Sequence, residues 1–166
     1  SGGRTPWAML RMLATLDLPW PQLQLFQVDE RVAPAGDAVA VTARGHVAVA
    51  STGKRRRVDI AAPADGRLRD ASLSPDGRVV YAILDRAGAS EIWSYPSDGS
   101  GPGKRLVADE SVHRWRLYPS PDGKAIAHDD KQGRLSLLDL AKGSNRVLES
   151  AGFAGDDAYA AGVVWS

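Results

Sequence analysis

Ser74-Pro75-Asp76-Gly77 returns as Ser120-Pro121-Asp122-Gly123 after 46 residues, and each copy leads into an apolar segment, Arg78 to Leu84 and Lys124 to His128. A weaker relative, Pro34-Ala35-Gly36-Asp37, stands 41 residues before Pro75. Asp-Gly pairs suit tight turns because Gly accepts positive φ and Asp bonds its own backbone, so each copy marks a link between two strands. Self-similarity at about 40 to 50 residues is the period of four-stranded propeller blades.

Working outward, short strands with turn residues between them fill the chain from Val32 onward. Ala38 to Thr42, Val47 to Ser51 and Val58 to Ala61 form one set; Arg78 to Leu84, Glu91 to Tyr95 and Lys104 to Val107 a second; Lys124 to His128, Arg134 to Leu140 and Asn145 to Leu148 a third. Asp98-Gly99, Gln132-Gly133 and Lys142-Gly143 supply further turns. In the middle set Val79, Tyr81 and Ile83 alternate with Val80, Ala82 and Leu84, so both faces of that strand are apolar. Such a strand belongs inside, between neighbouring sheets.

The first thirty residues follow another period. Thr5 is placed to cap a helix with Pro6 at its first position and Trp7, Leu10, Leu13 and Ala14 on one stripe. Asp17 and Pro19 end it, and Leu23 to Val28 reads as a buried strand running into Asp29, Glu30 and Arg31. The expected fold is mainly β: about three propeller-type four-stranded meanders, an incomplete β-propeller over residues 37–166, preceded by one α-helix and strand within residues 1–36.

Composition narrows the function classes. Lys and Arg number 21 against 20 Asp and Glu, a net charge of +1 that gives no general field for nucleic acid. The absence of Cys removes disulfide frameworks and thiolate metal sites. No apolar run approaches the roughly 20 residues that cross a bilayer, so a soluble chain is expected; no signal peptide is visible, which favours the cytoplasm and leaves the periplasm as the alternative.

The stretch Leu73 to Tyr81, the later Tyr118-Pro119-Ser120-Pro121-Asp122-Gly123-Lys124 and the hairpin Leu138-Asp139-Leu140-Ala141-Lys142-Gly143 resemble the propeller repeats of tricorn-protease and TolB-like proteins, over residues 33–166. Tricorn-like proteins carry their protease chemistry in other domains, so this resemblance implies a propeller and no catalytic set. Separately, Ser1-Gly2-Gly3-Arg4-Thr5-Pro6 followed by Phe26-Gln27-Val28-Asp29-Glu30-Arg31 resembles the sugar-phosphate lactonase and isomerase family, of the 6-phosphogluconolactonase kind, over residues 1–36. That resemblance implies an anion-binding loop of Ser1, Gly2, Gly3, Arg4 and Thr5 at a helix start, where free amides and the helix dipole favour negative charge. It places Asp29, Glu30 and Arg31 along a substrate cleft. The family's preceding strand and His-bearing catalytic motif are absent, so lactonase activity is not carried over. Pro34 to Asp37 both finishes the lactonase-like phrase and begins a propeller phrase, and Val163-Val164-Trp165-Ser166 stops where a further Pro-Asp is expected. The expectation is a chimera of two gene fragments.

Catalytic candidates are few. His128 with Asp129 and Asp130 offers an imidazole and carboxylates for a cation or for acid–base work, but neighbours on a strand point to opposite faces, and the competing reading is a hairpin edge of solvated polar side chains. His113 with Arg114, Trp115 and Arg116 resembles a blade's entry loop open to a central channel, but the structural reading is preferred, with Trp115 expected in the core between blades. Lys54-Arg55-Arg56-Arg57 reads as a solvated loop, and the acidic pairs Asp109-Glu110 and Asp156-Asp157 carry no pattern that makes them catalytic. No Gly-x-Ser-x-Gly elbow is present, and no metal or cofactor is implied.

Two function classes stay open. A truncated blade array exposes apolar faces, which predicts a homodimer or higher homo-oligomer acting as a scaffold or interaction module. The alternative is a weak hydrolase of phosphate esters or lactones, with the Ser1 to Thr5 loop holding the anion and a His or carboxylate as base.

Overall fold

The alternating segments form eleven strands among the described residues, and backbone pairing sorts them into three antiparallel sheets. The structure, a computed structural model, describes residues 38–51, 57–108, 112–150 and 163–165. The first sheet holds β1 (Ala38–Ala43), β2 (His46–Ser51) and β3 (Arg57–Ile60); the second holds β4 (Arg67–Leu73), β5 (Val79–Arg86), β6 (Ala89–Pro96) and β7 (Lys104–Val107). The third is built from β8 (Arg114–Pro119), β9 (Ala125–Asp130), β10 (Arg134–Asp139) and β11 (Ser144–Ser150). Each sheet runs in chain order, a meander, because short turns join consecutive strands. Two sheets have the expected four strands, and the first has three among the described residues.

Both Ser-Pro-Asp-Gly copies fold into one and the same turn. Ser74 N–H donates to the Val79 carbonyl and Ser120 N–H to the Ala125 carbonyl, each at 2.8 Å. The Ser74 hydroxyl donates to Asp76 Oδ1 at 2.6 Å and the Ser120 hydroxyl to Asp122 Oδ1 at 2.7 Å. The same carboxylate oxygens accept the amides of Arg78 and Lys124. The donated Ser hydroxyl first, and the backbone amide after it, hold both Asp carboxyls below their ordinary pKa. Gly77 and Gly123 close the turns at φ of 71° and 70°, a conformation other residues resist.

The core lies between the sheets. Val80, Ala82 and Leu84 of β5 join Ala40, Val47, Val49 and Ile60 of the first sheet, with Leu68, Leu73 and Tyr95 closing the cluster. Tyr81 and Ile83, the alternate residues of β5, join Ile92 and Val107 and meet Leu117, Ile126 and Leu138 of the third sheet. The sandwiched middle strand expected from its two apolar faces is therefore present. Tyr95 stacks on Trp93 at 6.0 Å between ring centroids, and burial raises its hydroxyl to about 12. Gly103 lies flat on the Tyr95 ring, where an added Cβ would come within 2.2 Å of a ring carbon.

Strands β4 and β8 escape the pattern reading. Residues 113–116, expected as a lead-in loop, run into a strand that begins at Arg114. Both strands mix charges with apolar residues and carry a register shift, between Arg69 and Ser72 in β4 and between Arg114 and Arg116 in β8. Each shift inserts one extra residue and breaks the two-residue period. Trp115, the extra residue in β8, corrects the expectation of a core position: it is 38% exposed, because the bulge turns it out of the alternation. The expected helix and strand of residues 1–36, most of the basic run (residues 54–56), Asp109-Glu110 and Asp156-Asp157 lie outside the described residues.

Ile83→Ala should lower stability by about 2–5 kcal/mol, since a wholly buried side chain leaves a cavity between two sheets, whereas Val147→Ala on exposed β11 should change it by about 0.5 kcal/mol or less. Urea unfolding of the two variants measures both; equal losses would contradict the assignment of the core.

Candidate functional site

The second and third sheets are joined by polar side chains as well as apolar ones, and the join sits in the middle of β4, at Arg69 and Asp70. Arg69 donates from Nε to Asp85 Oδ2 at 2.5 Å and from Nη2 to Asp85 Oδ1 at 3.1 Å, a two-pronged grip that fits a planar guanidinium. The same guanidinium reaches across to β8, donating from Nη1 to the Trp115 carbonyl at 3.1 Å and from Nη2 to the Arg114 carbonyl. Ser90 donates its hydroxyl to Asp85 Oδ1 at 2.6 Å, and the guanidinium of Arg114, 1% exposed, donates to the Ser90 carbonyl. Burial pushes the Asp85 carboxyl up, but the bonds from Arg69 and Ser90 and the Arg69 charge outweigh it and leave it below the ordinary value.

The bulges aim these groups. Asp70 stands at φ 48°, a left-handed value that Asp tolerates better than most, and its Oδ2 accepts the Leu117 amide of β8 at 2.5 Å. On the other side, the Thr42 hydroxyl of β1 accepts the Ala71 amide at 3.2 Å. These contacts hold β1, β4 and β8 around a cavity of about 670 Å3. Arg69, Asp70 and Asp85 line it with Ser90 from the start of β6, His113 just before β8, Trp115 and Arg116 within β8, and Lys131. Lys131 Nζ stands 5.7 Å from the centre of the Trp115 ring, and its backbone amide donates to the His113 carbonyl at 2.9 Å.

The structure distributes the three sequence candidates among different environments. His113 is exposed at the cavity. His128 is 2% exposed inside β9, which corrects the reading of it as a solvated hairpin edge. It faces the second sheet, as its partners Leu117 and Ser136 in the ladder do. Its Nε2 donates to Asn145 Oδ1 at 2.9 Å, and burial, against the opposing effect of that bond, lowers its pKa to about 4. Asp130 is likewise buried rather than solvated, and it organises the β9–β10 turn, accepting from Arg134 Nε at 2.7 Å and from the Gln132 amide at 2.8 Å. A neutral buried imidazole and a fully engaged carboxylate serve the fold. Among the described residues no three His, Asp or Glu gather into a cation site. Ser1, Gly2, Gly3, Arg4, Thr5, Asp29, Glu30 and Arg31 lie outside the described residues.

Arg69, Asp70, Asp85 and Ser90 were not singled out by the sequence. The one signal for them is charge inside a strand-like stretch, Arg67-Leu68-Arg69-Asp70, just before the first repeated turn.

No family model matches the chain, and no curated protein matches it in sequence. Solved structures do match in shape. The crystal structure of TolB from Acinetobacter baumannii superposes with a TM-score of 0.57 at 20% identity, covering 70% of this chain and 30% of that one. The likeness is to a β-propeller. An oligogalacturonate lyase in complex with manganese superposes with a TM-score of 0.55 at 11% identity, covering 68% of this chain and 31% of that one. At such identities the likeness concerns the fold, and the TolB-like propeller resemblance read from the repeats holds at that level. The chain spans under a third of the length of either neighbour. Among the described residues no helix is long and apolar enough to cross a membrane.

The His128 environment has a pH consequence. An unfolded His takes up a proton near pH 6.5 and His128 in the fold only near 4, so the unfolded state binds more protons in between. Stability should fall by about 3 kcal/mol as pH drops through that window, and His128→Gln should flatten that part of the curve. Urea midpoints measured from pH 7 to pH 4 test it; parallel curves for the two proteins would contradict a buried neutral imidazole.

Proposed function

We propose that the chain works as a noncatalytic, self-associating interaction module, in which the outer face of the third blade receives a second copy. The observation that carries this reading is Leu135. Opposed residues in the ladder share a face, so Leu135 and Asp129, and Leu137 with Ala127 and Tyr118, lie on the side opposite Ile126 and Leu138, away from the second blade. The matching pair in the second blade is Ile83 with Ile92, both wholly buried under the third blade, whereas Leu135 and Leu137 are half-buried. Part-exposed apolar faces in a stacked array are relieved by further blades, and a second copy supplies them.

The polar contact between the Tyr118 hydroxyl and Asp129 Oδ2, 3.2 Å apart, gives that face a fixed point of register. The lactonase-like phrase of residues 1–36 enters this proposal as a fused fragment. An uninterrupted ancestral gene with the same junction in unrelated organisms would overturn that part. Phosphoester or lactone turnover that falls in Arg4→Ala or His128→Ala would overturn the noncatalytic part.

Sedimentation velocity tests the association. The unaltered chain should sediment as a dimer or larger species that dissociates on dilution, and Leu135→Glu with Leu137→Lys should leave a folded monomer. A compact monomer at every concentration sinks the proposal.

A further inference from the structure

The cavity between β1, β4 and β8 carries an imbalance of charge that the blade-face reading does not use. Its two carboxylates are engaged within the fold, Asp85 by Arg69 and Ser90 and Asp70 by the Leu117 amide. Its cations outnumber them: Arg69, Arg116 and Lys131 line the same space, with His113 beside them. Lys131 makes no ion pair among the described residues; its ammonium rests near the face of Trp115, a contact weaker than a charge-assisted hydrogen bond. Trp115 itself is a large apolar ring turned out of the core by a bulge, and bulges of this kind re-aim side chains at binding sites. Behind it the wall is apolar, formed by Ala40, Val41 and Ala89. At about 670 Å3 the space falls within the usual span of small-molecule sites, roughly 300–1,000 Å3.

We propose that this cavity binds a small organic carboxylate, with the acid group held by Lys131 and His113 and a flat apolar body resting on Trp115 against Val41 and Ala89. The recognition is by charge at the rim and by a ring face inside it. Lys131 is the residue that decides it, because its ammonium stands beside the Trp115 ring and pairs with no carboxylate among the described residues. Arg69 stays with the seam between the blades and acts as a positioning residue for Ser90 and the Arg114–Trp115 backbone.

Benzoate is the probe, benzamide its uncharged counterpart and inorganic phosphate the anion without a ring. Titrations of the full chain, followed by the indole N–H resonance of Trp115 assigned through Trp115→Phe, should show saturable benzoate binding in roughly the millimolar range. Benzamide and phosphate should each bind about tenfold more weakly, the loss of one charge-assisted contact or of the ring contact. Lys131→Gln, an exposed turn substitution, should weaken benzoate about tenfold, while Lys124→Gln, whose ammonium pairs with Asp122 in the repeated turn, should leave it unchanged. Equal binding of benzoate and benzamide would overturn the charge assignment. Equal binding of benzoate and phosphate would overturn the role of Trp115. Unchanged affinity in Lys131→Gln, or no saturation by benzoate, would overturn the site.

Discussion

A strand with apolar residues on both faces has no stable position at a surface, and β5 is such a strand. Its even-numbered residues fill the space against the first sheet and its odd-numbered ones the space against the third, so the second sheet cannot form a core alone. The three sheets are tied into one body by that requirement. The turn chemistry then sets where each strand begins. Ser74 with Asp76, and Ser120 with Asp122, satisfy their own amides locally, which leaves the following strand free to carry apolar side chains from its first residues.

Apolar contact brings sheets together without fixing how far one slides along the other, because it is non-directional. The polar seam supplies the direction. Arg69 reaches the carbonyls of Arg114 and Trp115, Asp70 takes the Leu117 amide, and Thr42 takes the Ala71 amide, so neighbouring inner strands are pinned backbone to side chain at defined residues. The bulges make this possible by freeing Asp70 and Trp115 from strict alternation. The same displacement opens the cavity and places a tryptophan at its edge. Fold and site therefore share one local irregularity.

That irregularity also explains what was legible in the sequence. The repeated Ser-Pro-Asp-Gly, the spacing of the turns and the double-faced pattern of Val79 to Leu84 were enough for the architecture and for nine of the strands within a few residues. β4 and β8 were not legible, since their side chains serve the seam: Arg69, Asp70, Arg114 and Arg116 look like loop residues until the partner strand is in place. His128 was visible as a residue and misleading as chemistry. A period-two pattern does not reveal that an imidazole faces a neighbouring sheet and finds an amide, Asn145, to bond. Trp115 was misread for the opposite reason, because large aromatic residues are ordinarily buried and the one-residue insertion that turns this one outward leaves no mark in composition.

The seam also governs how the molecule bears force. Sliding the second sheet along the third would have to break the Arg69 and Asp70 bonds together, in shear, before Ile83 or Leu117 lost contact. Peeling β11 from β10 breaks ladder bonds one after another, from a strand exposed along its whole length. Resistance to mechanical load is thus anisotropic: stiff along the inner strands, soft at the outer rim.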